Sequence, residues 1–91
     1  MTETVKSSIW HDSREYPKDQ SSIIIVHDYF NYGKDSIDTV QFHEDYKEYF
    51  NGRTYHHYNV FIGPGRYYDS WDKWMWKIKK WCYTEDFLKI K

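Results

Sequence analysis

The sequence predicts an α+β domain: a small antiparallel sheet of about four strands with one C-terminal amphipathic helix. Of 91 residues, 20 are aromatic, and the aliphatic residues are eight Ile and four Val against one Leu and no Ala. Branched and aromatic side chains cover a pleated sheet well, whereas Ala and Leu, which favour helices, are nearly missing. The length suits one core, so we predict a single domain over residues 9–91 after a flexible tail at residues 1–8.

The first predicted strand covers residues 22–29. It contains four consecutive branched residues, Ile23, Ile24, Ile25 and Val26, a run typical of a central strand that is covered on both faces. Residues 31–36 supply turn formers, and residues 37–42 then alternate with Val40 and Phe42 on one face. We therefore predict a hairpin, with Val40 and Phe42 buried.

A second hairpin is predicted around Asn51 and Gly52, a residue pair that favours a tight turn. Residues 53–62 are rich in strand formers and give a third strand, which ends at Gly63, Pro64 and Gly65. The stretch at residues 44–50 fits either a helical turn or an irregular strand, and the sequence leaves this open.

The apolar period changes after Asp69. Four apolar residues then recur at helical spacing, which predicts a helix over residues 69–79 with one face in the core: Trp71, Trp74, Met75 and Ile78. Asp69 or Ser70 can cap its first turn. Residues 81–83 are expected to form a short closing strand, and Thr84 is expected to cap a final turn.

Charge and cysteine content exclude several function classes. The chain has 13 basic and 14 acidic residues, which argues against bulk binding to nucleic acid or to anionic membranes. No apolar run approaches the roughly 20 residues of a membrane span. One cysteine, Cys82, allows neither an internal disulfide nor a cysteine-based zinc site. We expect a cytoplasmic protein of a bacterial cell, with no membrane partner.

Motifs for catalysis or for a metal are weak, so we predict no enzyme, no catalytic residues, no metal and no cofactor. Adjacent His56 and His57 point to opposite faces of a strand and cannot easily share one ion. The residue types of common nucleophile motifs do not occur at the required spacing. A hydrolase that uses His56 or His57 with a metal stays a minor alternative.

The candidate binding residues are aromatic or basic. Trp76 falls on the polar side of the predicted helix among lysines, where it is either an interface anchor or incidentally exposed. The full set is Trp76, Tyr67 and Tyr68 for a protein interface, and Arg53, Arg66 and Lys80 for phosphate. Arg66 follows two glycines and a proline, which form either a plain turn or an anion contact.

Three segments carry a family resemblance: Ile9, Trp10, His11 and Asp12 with Pro17; the strand at residues 23–26; and residues 78–88, which end in an acidic and apolar tail. Together they resemble short bacterial proteins of unknown function from phages and mobile elements. The resemblance covers about half the chain and departs from it at residues 51–68. It implies an intracellular accessory protein with a small sheet-based fold, and it supplies no catalytic residues.

These observations predict a non-enzymatic binding module of the phage accessory type. The expected partner is another protein, or a second copy of the chain, bound through exposed Tyr and Trp side chains. The alternative is a small-ligand binder that captures a nucleotide or a nucleotide-derived signal, with aromatic rings for the base and basic residues for the phosphate.

Overall fold

The protein folds around one antiparallel sheet. The structure is a computed structural model that describes residues 8–63 and 68–89. The five strands lie in the order β4-β3-β2-β1-β5. The elements are β1 (Ser22–His27), β2 (Ser36–Phe50), β3 (Arg53–Ile62), β4 (Tyr68–Ser70), α1 (Trp71–Trp74), β5 (Ile78–Tyr83) and α2 (Thr84–Lys89).

The prediction of a mainly antiparallel sheet with a minor helical part is confirmed, with five strands where about four were expected. The additional strand is β4, whose three residues pair with the end of β3. The predicted tail at residues 1–8 lies almost entirely outside the described residues. Within the described part of the chain, no helix has the length and apolar character needed to cross a membrane.

Strand β1 is an inner strand of the sheet, between β2 and the edge strand β5. It pairs with β2 on one side and with β5 on the other, both antiparallel. Ile23 and Ile25 face one side and Ile24 and Val26 face the other, and all four are buried. The prediction of a strand covered on both faces is therefore confirmed, although the strand ends at His27, two residues earlier than expected.

The main core lies on one face of the sheet. Its buried members come from β1, β2, β3, α1 and β5: Ile23, Ile25, Val40, Phe42, Phe61, Trp71, Trp74, Ile78 and Trp81. The segment before β1 crosses this face, and its carbonyls accept hydrogen bonds from the indoles of Trp71 and Trp81. Trp71 Nε1 donates to Ser13 O at 2.9 Å. These hydrogen bonds connect the aromatic core to the N-terminal segment. They also give the buried indole N–H groups the acceptors that they need.

The predicted helix over residues 69–79 is wrong in length. α1 has only four residues, with Ser70 as its N-cap, and the chain is extended again from Ile78. Trp71, Trp74 and Ile78 do reach the core as expected, but Ile78 does so from β5. The open edge of β1 explains the difference, because β5 pairs with it from Ile23 to His27. Trp and Ile side chains lose rotamer freedom in helices. In the sheet their backbone groups form hydrogen bonds while their side chains are buried against the core.

A histidine is buried beside this core. His27 is fully buried; its Nε2 lies 2.7 Å from Asp38 Oδ2, and its Nδ1 accepts a hydrogen bond from Tyr29 N at 3.1 Å. Acceptance at Nδ1 leaves Nε2 as the donor to the carboxylate. Both ring nitrogens therefore have partners, and Trp74 packs edge-on against the ring at 4.7 Å. This geometry is that of a structural histidine.

The second face of the sheet has a smaller apolar layer. Ile24, Val26 and Cys82 are buried there, and α2 contacts β1 and β5. A final turn capped by Thr84 was predicted; α2 lies at this place, but Thr84 is its first helical residue, and the Thr84 hydroxyl lies 2.9 Å from Ser22 Oγ. Cys82 is a free thiol, and burial raises its pKa.

Candidate interaction surface

The β2–β3 hairpin extends well beyond the folded body. β2 has 15 residues, but β1 has six and covers only residues 36–41 of β2. β4 likewise covers only the last three residues of β3. Residues 45–58, here called the arm, are therefore paired with each other alone; the other described residues, 8–44, 59–63 and 68–89, are called the body. The molecule measures 59 × 28 × 23 Å, as expected of a body with a projecting ribbon.

The arm ends in a tight turn. Phe50 pairs with Arg53, and the two residues between them, Asn51 and Gly52, both have positive φ, 53° and 75°. A two-residue hairpin turn that follows the twist of its strands requires a positive φ at both residues, and Asn followed by Gly adopts this conformation at the lowest cost. The open question at residues 44–50 is settled as strand, because this turn and β3 hold that stretch in register.

A kink separates the arm from the body. Asn59 in β3 has a φ of 52°, and the paired residues on either side of it are His43 with Val60 and Asp45 with Tyr58. His57 contacts the ring of Tyr68, which lies on the face opposite Phe61. Regular alternation would place His57 and Phe61 on the same face. The left-handed Asn59 therefore exchanges the two faces of the ribbon.

One face of the arm carries a histidine and carboxylate pair with an exposed tyrosine. His56 Nδ1 lies 3.0 Å from Asp45 Oδ1, and the His56 ring stacks on Tyr58 at 5.9 Å. Tyr58 is 62% exposed and Tyr49, farther along this face, is 78% exposed. Tyr58 also borders a shallow cleft against Tyr16 of the body.

The other face carries a second such pair inside an aromatic cluster. His57 Nε2 lies 3.2 Å from Glu48 Oε1, and the Tyr68 hydroxyl donates to the same oxygen at 3.4 Å. The rings of Tyr46, His57 and Tyr68 approach one another at 5.1–6.3 Å. Partial burial, with Glu48 nearby, raises the pKa of Tyr68. On each face of the arm, one histidine therefore contacts one carboxylate: His56 contacts Asp45, and His57 contacts Glu48.

The arm has no net formal charge. It contains two acidic residues, Asp45 and Glu48, and two basic residues, Lys47 and Arg53. Three of these four lie on β2, whereas β3 carries a charge only at the turn. Charged side chains on an edge strand discourage pairing with other chains. The outer edge of β3 is therefore the less protected edge.

A separate groove lies on the second face of the body. Its floor is formed by Ile24, Val26, Ile37 and Thr39, and its walls by Trp10 and Phe87, with Lys80 and Asp35 at the rim. We call this the outer groove; its volume is about 470 Å³. Trp10 and Phe87 meet edge to face at 6.4 Å.

The predicted binding residues that the structure describes lie in four different places. Trp76 is in the turn between α1 and β5 and is 87% exposed. Tyr68 begins β4 beside the arm, Arg53 is at the tip of the arm, and Lys80 is on β5. Tyr67 and Arg66 lie outside the described residues. The structure therefore does not assemble Trp76 and Tyr68 into one patch, nor Arg53 and Lys80 into one phosphate site.

Several exposed aromatic residues of the arm were missed by sequence reasoning: Tyr49, Phe50, Tyr55 and Tyr58. The distance between the Asn-Gly turn and the first hairpin was only a partial signal, because the first strand was expected to span residues 22–29 and the conformation of residues 44–50 was left open. A six-residue strand cannot cover a partner that runs without interruption to residue 50, so an uncovered ribbon follows. In the outer groove, Trp10 and Phe87 come from the two ends of the chain, and no local pattern links them.

Over residues 8–63 and 68–89, no three His, Cys, Asp or Glu side chains converge as metal ligands would. Comparison of the chain with protein-family models, with curated proteins and with solved structures finds no match. The resemblance to proteins of phages and mobile elements stays a prediction.

Proposed function

We propose that this protein is a non-enzymatic binding module that works through protein contacts made by the arm, and that its partner is a second copy of the chain. The observation that carries the proposal is the uncovered ribbon at residues 45–58, whose two strands have no further strand beside them in the described structure. An isolated two-stranded ribbon is marginally stable in water. Its five aromatic residues favour contact with another surface.

A second copy fits the outer edge of β3 for geometric reasons. A twofold axis beside β3 places β3 of the second copy antiparallel to β3 of the first, so the two copies join into one sheet. β3 has a charge only at Arg53 and presents Tyr55 and Tyr58, both exposed, to the copy. Because the arm has no net charge, the copies do not repel each other over long range.

The turn identifies the backbone groups available for pairing. A two-residue turn makes Phe50 and Arg53 a hydrogen-bonded pair, and hydrogen-bonded and open pairs then alternate along the arm. The N–H and C=O groups of Thr54, His56 and Tyr58 therefore point outward from β3. Those of Lys47, directly opposite His56, point outward from β2 on the other edge.

Sedimentation velocity on the full chain, from about 1 to about 300 µM, tests the proposal. An interface at the small end of the size range predicts reversible dimers with a Kd in about the micromolar range. His56→Pro removes an outward N–H from β3 and should give a monomer. Lys47→Pro makes the matched change at its cross-strand partner on the other edge and should leave the dimer.

Because a proline can unfold the arm, Tyr58→Lys is the second variant. It brings like charges together across the twofold axis and should weaken dimerisation in low salt more than in high salt. A chain that stays monomeric at about 300 µM refutes pairing between copies. Equal effects of the two proline variants refute the choice of edge.

Nucleotide capture is the second candidate, with less support. Arg53 and Lys80, meant for phosphate, lie on strands separated by β2 and β1. Thermal unfolding with a panel of nucleotides tests it, because a ligand of the folded state raises the Tm with concentration. Cytoplasmic localisation and the phage accessory role stay proposals of the same kind.

A further inference from the structure

We propose that the outer groove is a binding site for a small organic anion that has a flat apolar body and a single carboxylate or sulfonate group. This inference does not depend on the proposed function of the arm. Its first support is size and lining. The open groove has a volume of about 470 Å³, within the range of small-molecule sites, and its floor is Ile24, Val26, Ile37 and Thr39.

Half of the floor, Ile37 and Thr39, is exposed, which indicates that the groove has room for an occupant. Ile37 is 68% exposed although it lies beside the buried Val26 in the sheet. Burying such a side chain under a ligand is favourable by about 25 cal/mol per Å² of apolar surface. Trp10 and Phe87, which pack edge to face against each other, add two aromatic rings to the lining from opposite ends of the chain. A lining of aliphatic and aromatic side chains favours an apolar and planar ligand body.

Charge at the rim selects an anion. Lys80 Nζ lies 4.5 Å from the centre of the Trp10 ring, so its cation is held at the wall of the groove. The other charged rim residue, Asp35, is already paired with Lys79 at 2.6 Å. The ion pairs of the described residues give Asp35 a cation but give Lys80 no carboxylate. The groove therefore has one cation to offer, and it is preorganised by the indole.

The same lining disfavours a nucleotide. The Thr39 hydroxyl is the one polar group of the floor, so the hydroxyls of a ribose and a polyphosphate chain find few partners there. Unpaired polar groups lose hydration when they are buried and reduce affinity. A single anionic group on an apolar ring system makes better use of one cation.

Two probes of similar shape test the proposal: naphthalene-2-sulfonate, which is anionic, and 2-naphthol, which is neutral at pH 7. The readout is the indole N–H signal of Trp10 in ¹H–¹⁵N spectra, assigned as the signal that Trp10→Phe removes. We expect saturable shifts of this signal with both probes. The sulfonate should bind about tenfold more tightly, as expected for one charge-assisted contact.

Two variants separate the charge from the cavity. Lys80→Met should abolish the preference for the sulfonate while 2-naphthol still binds, and Lys47→Met on the arm should leave the preference intact. Thr39→Phe fills the floor and should abolish binding of both probes. Unchanged preference in Lys80→Met, equal affinity of the two probes, or shifts that do not involve Trp10 would each overturn the assignment. Sedimentation of the same samples reports on the arm independently.

Discussion

Replacement of Trp81 by Phe should destabilise the protein far more than its conservative nature suggests. Trp81 is fully buried, and its indole N–H donates to two carbonyls of the N-terminal segment, Asp12 O and Glu15 O, each at 3.0 Å. The ring also stacks on His11 at 4.3 Å. One side chain thus holds the segment before β1 against the sheet.

The magnitude follows from what Phe lacks. The lost hydrogen bond and the two carbonyls left without it cost about 2 kcal/mol. The smaller ring leaves a void of about one or two methylene groups, which costs about 1 kcal/mol. The free energy of unfolding should therefore fall by about 3 kcal/mol, and the Tm by about 15 °C for a domain of this size. A domain of this size has only about 5–14 kcal/mol of stability in total.

Urea unfolding followed by far-UV circular dichroism measures this change at constant pH. The matched control is Trp76→Phe, because Trp76 is 87% exposed and the same chemical change there should cost less than about 0.5 kcal/mol. If Trp81→Phe lies within about 1 kcal/mol of the wild type, or if the two variants cost the same, the assigned role of the indole N–H is wrong.

Three further predictions concern other parts of the fold. Burial raises the pKa of Asp69, but the hydrogen bond from Trp74 Nε1 at 2.8 Å helps to lower this pKa below its ordinary value of 3.8. The ionised carboxylate therefore stabilises the fold above pH 3.8, and this stability is lost as the pH falls below that value. In that acid range the Tm of Asp69→Asn should depend less on pH than the Tm of the wild type. Cys82, buried and with a raised pKa, should resist a thiol reagent such as dithionitrobenzoate at pH 8 until the protein unfolds; fast labelling of the native protein would contradict its burial. Gly52→Ala should lower the stability of the arm by about 1 kcal/mol, because φ at that position is 75° and Ala adopts such an angle at a cost. Amide exchange in this variant should accelerate at residues 45–58 but not in the core. Uniform acceleration would show that the arm and the body unfold together.

The sequence pattern predicted the strands well because they are marked by local chemistry. The run from Ile23 to Val26 can be buried on two faces only in a central strand, and Asn51 with Gly52 specifies its turn by conformation alone. The helix over residues 69–79 failed because apolar spacing fixes which side chains are buried but not the backbone that carries them. Trp71 and Trp74 reach the core from one helical turn, and Ile78 reaches it from a strand.

The candidate surfaces were harder to predict because they depend on relations between distant segments. Exposure of Tyr49 and Tyr58 follows from the shortness of β1 relative to β2, which is known only once the strands are paired. Lys80 was singled out from the sequence as a basic candidate for phosphate, but its position over the Trp10 ring depends on contacts across 70 residues of chain. A single pattern along the chain contains no such information.

The division between body and arm bears on how the protein can work. The nine residues that form the main core in the described part of the chain all lie outside residues 45–58, so the body retains its buried apolar surface whatever the arm does. The arm depends on its cross-strand pairs and on the packing of Tyr68 against its inner end. Its stability in a lone chain is therefore low, and pairing with a second copy would raise it by mass action. Amide protection in the arm should then increase with protein concentration while protection in the body stays constant, which ties the energetics of the ribbon directly to the proposed contact.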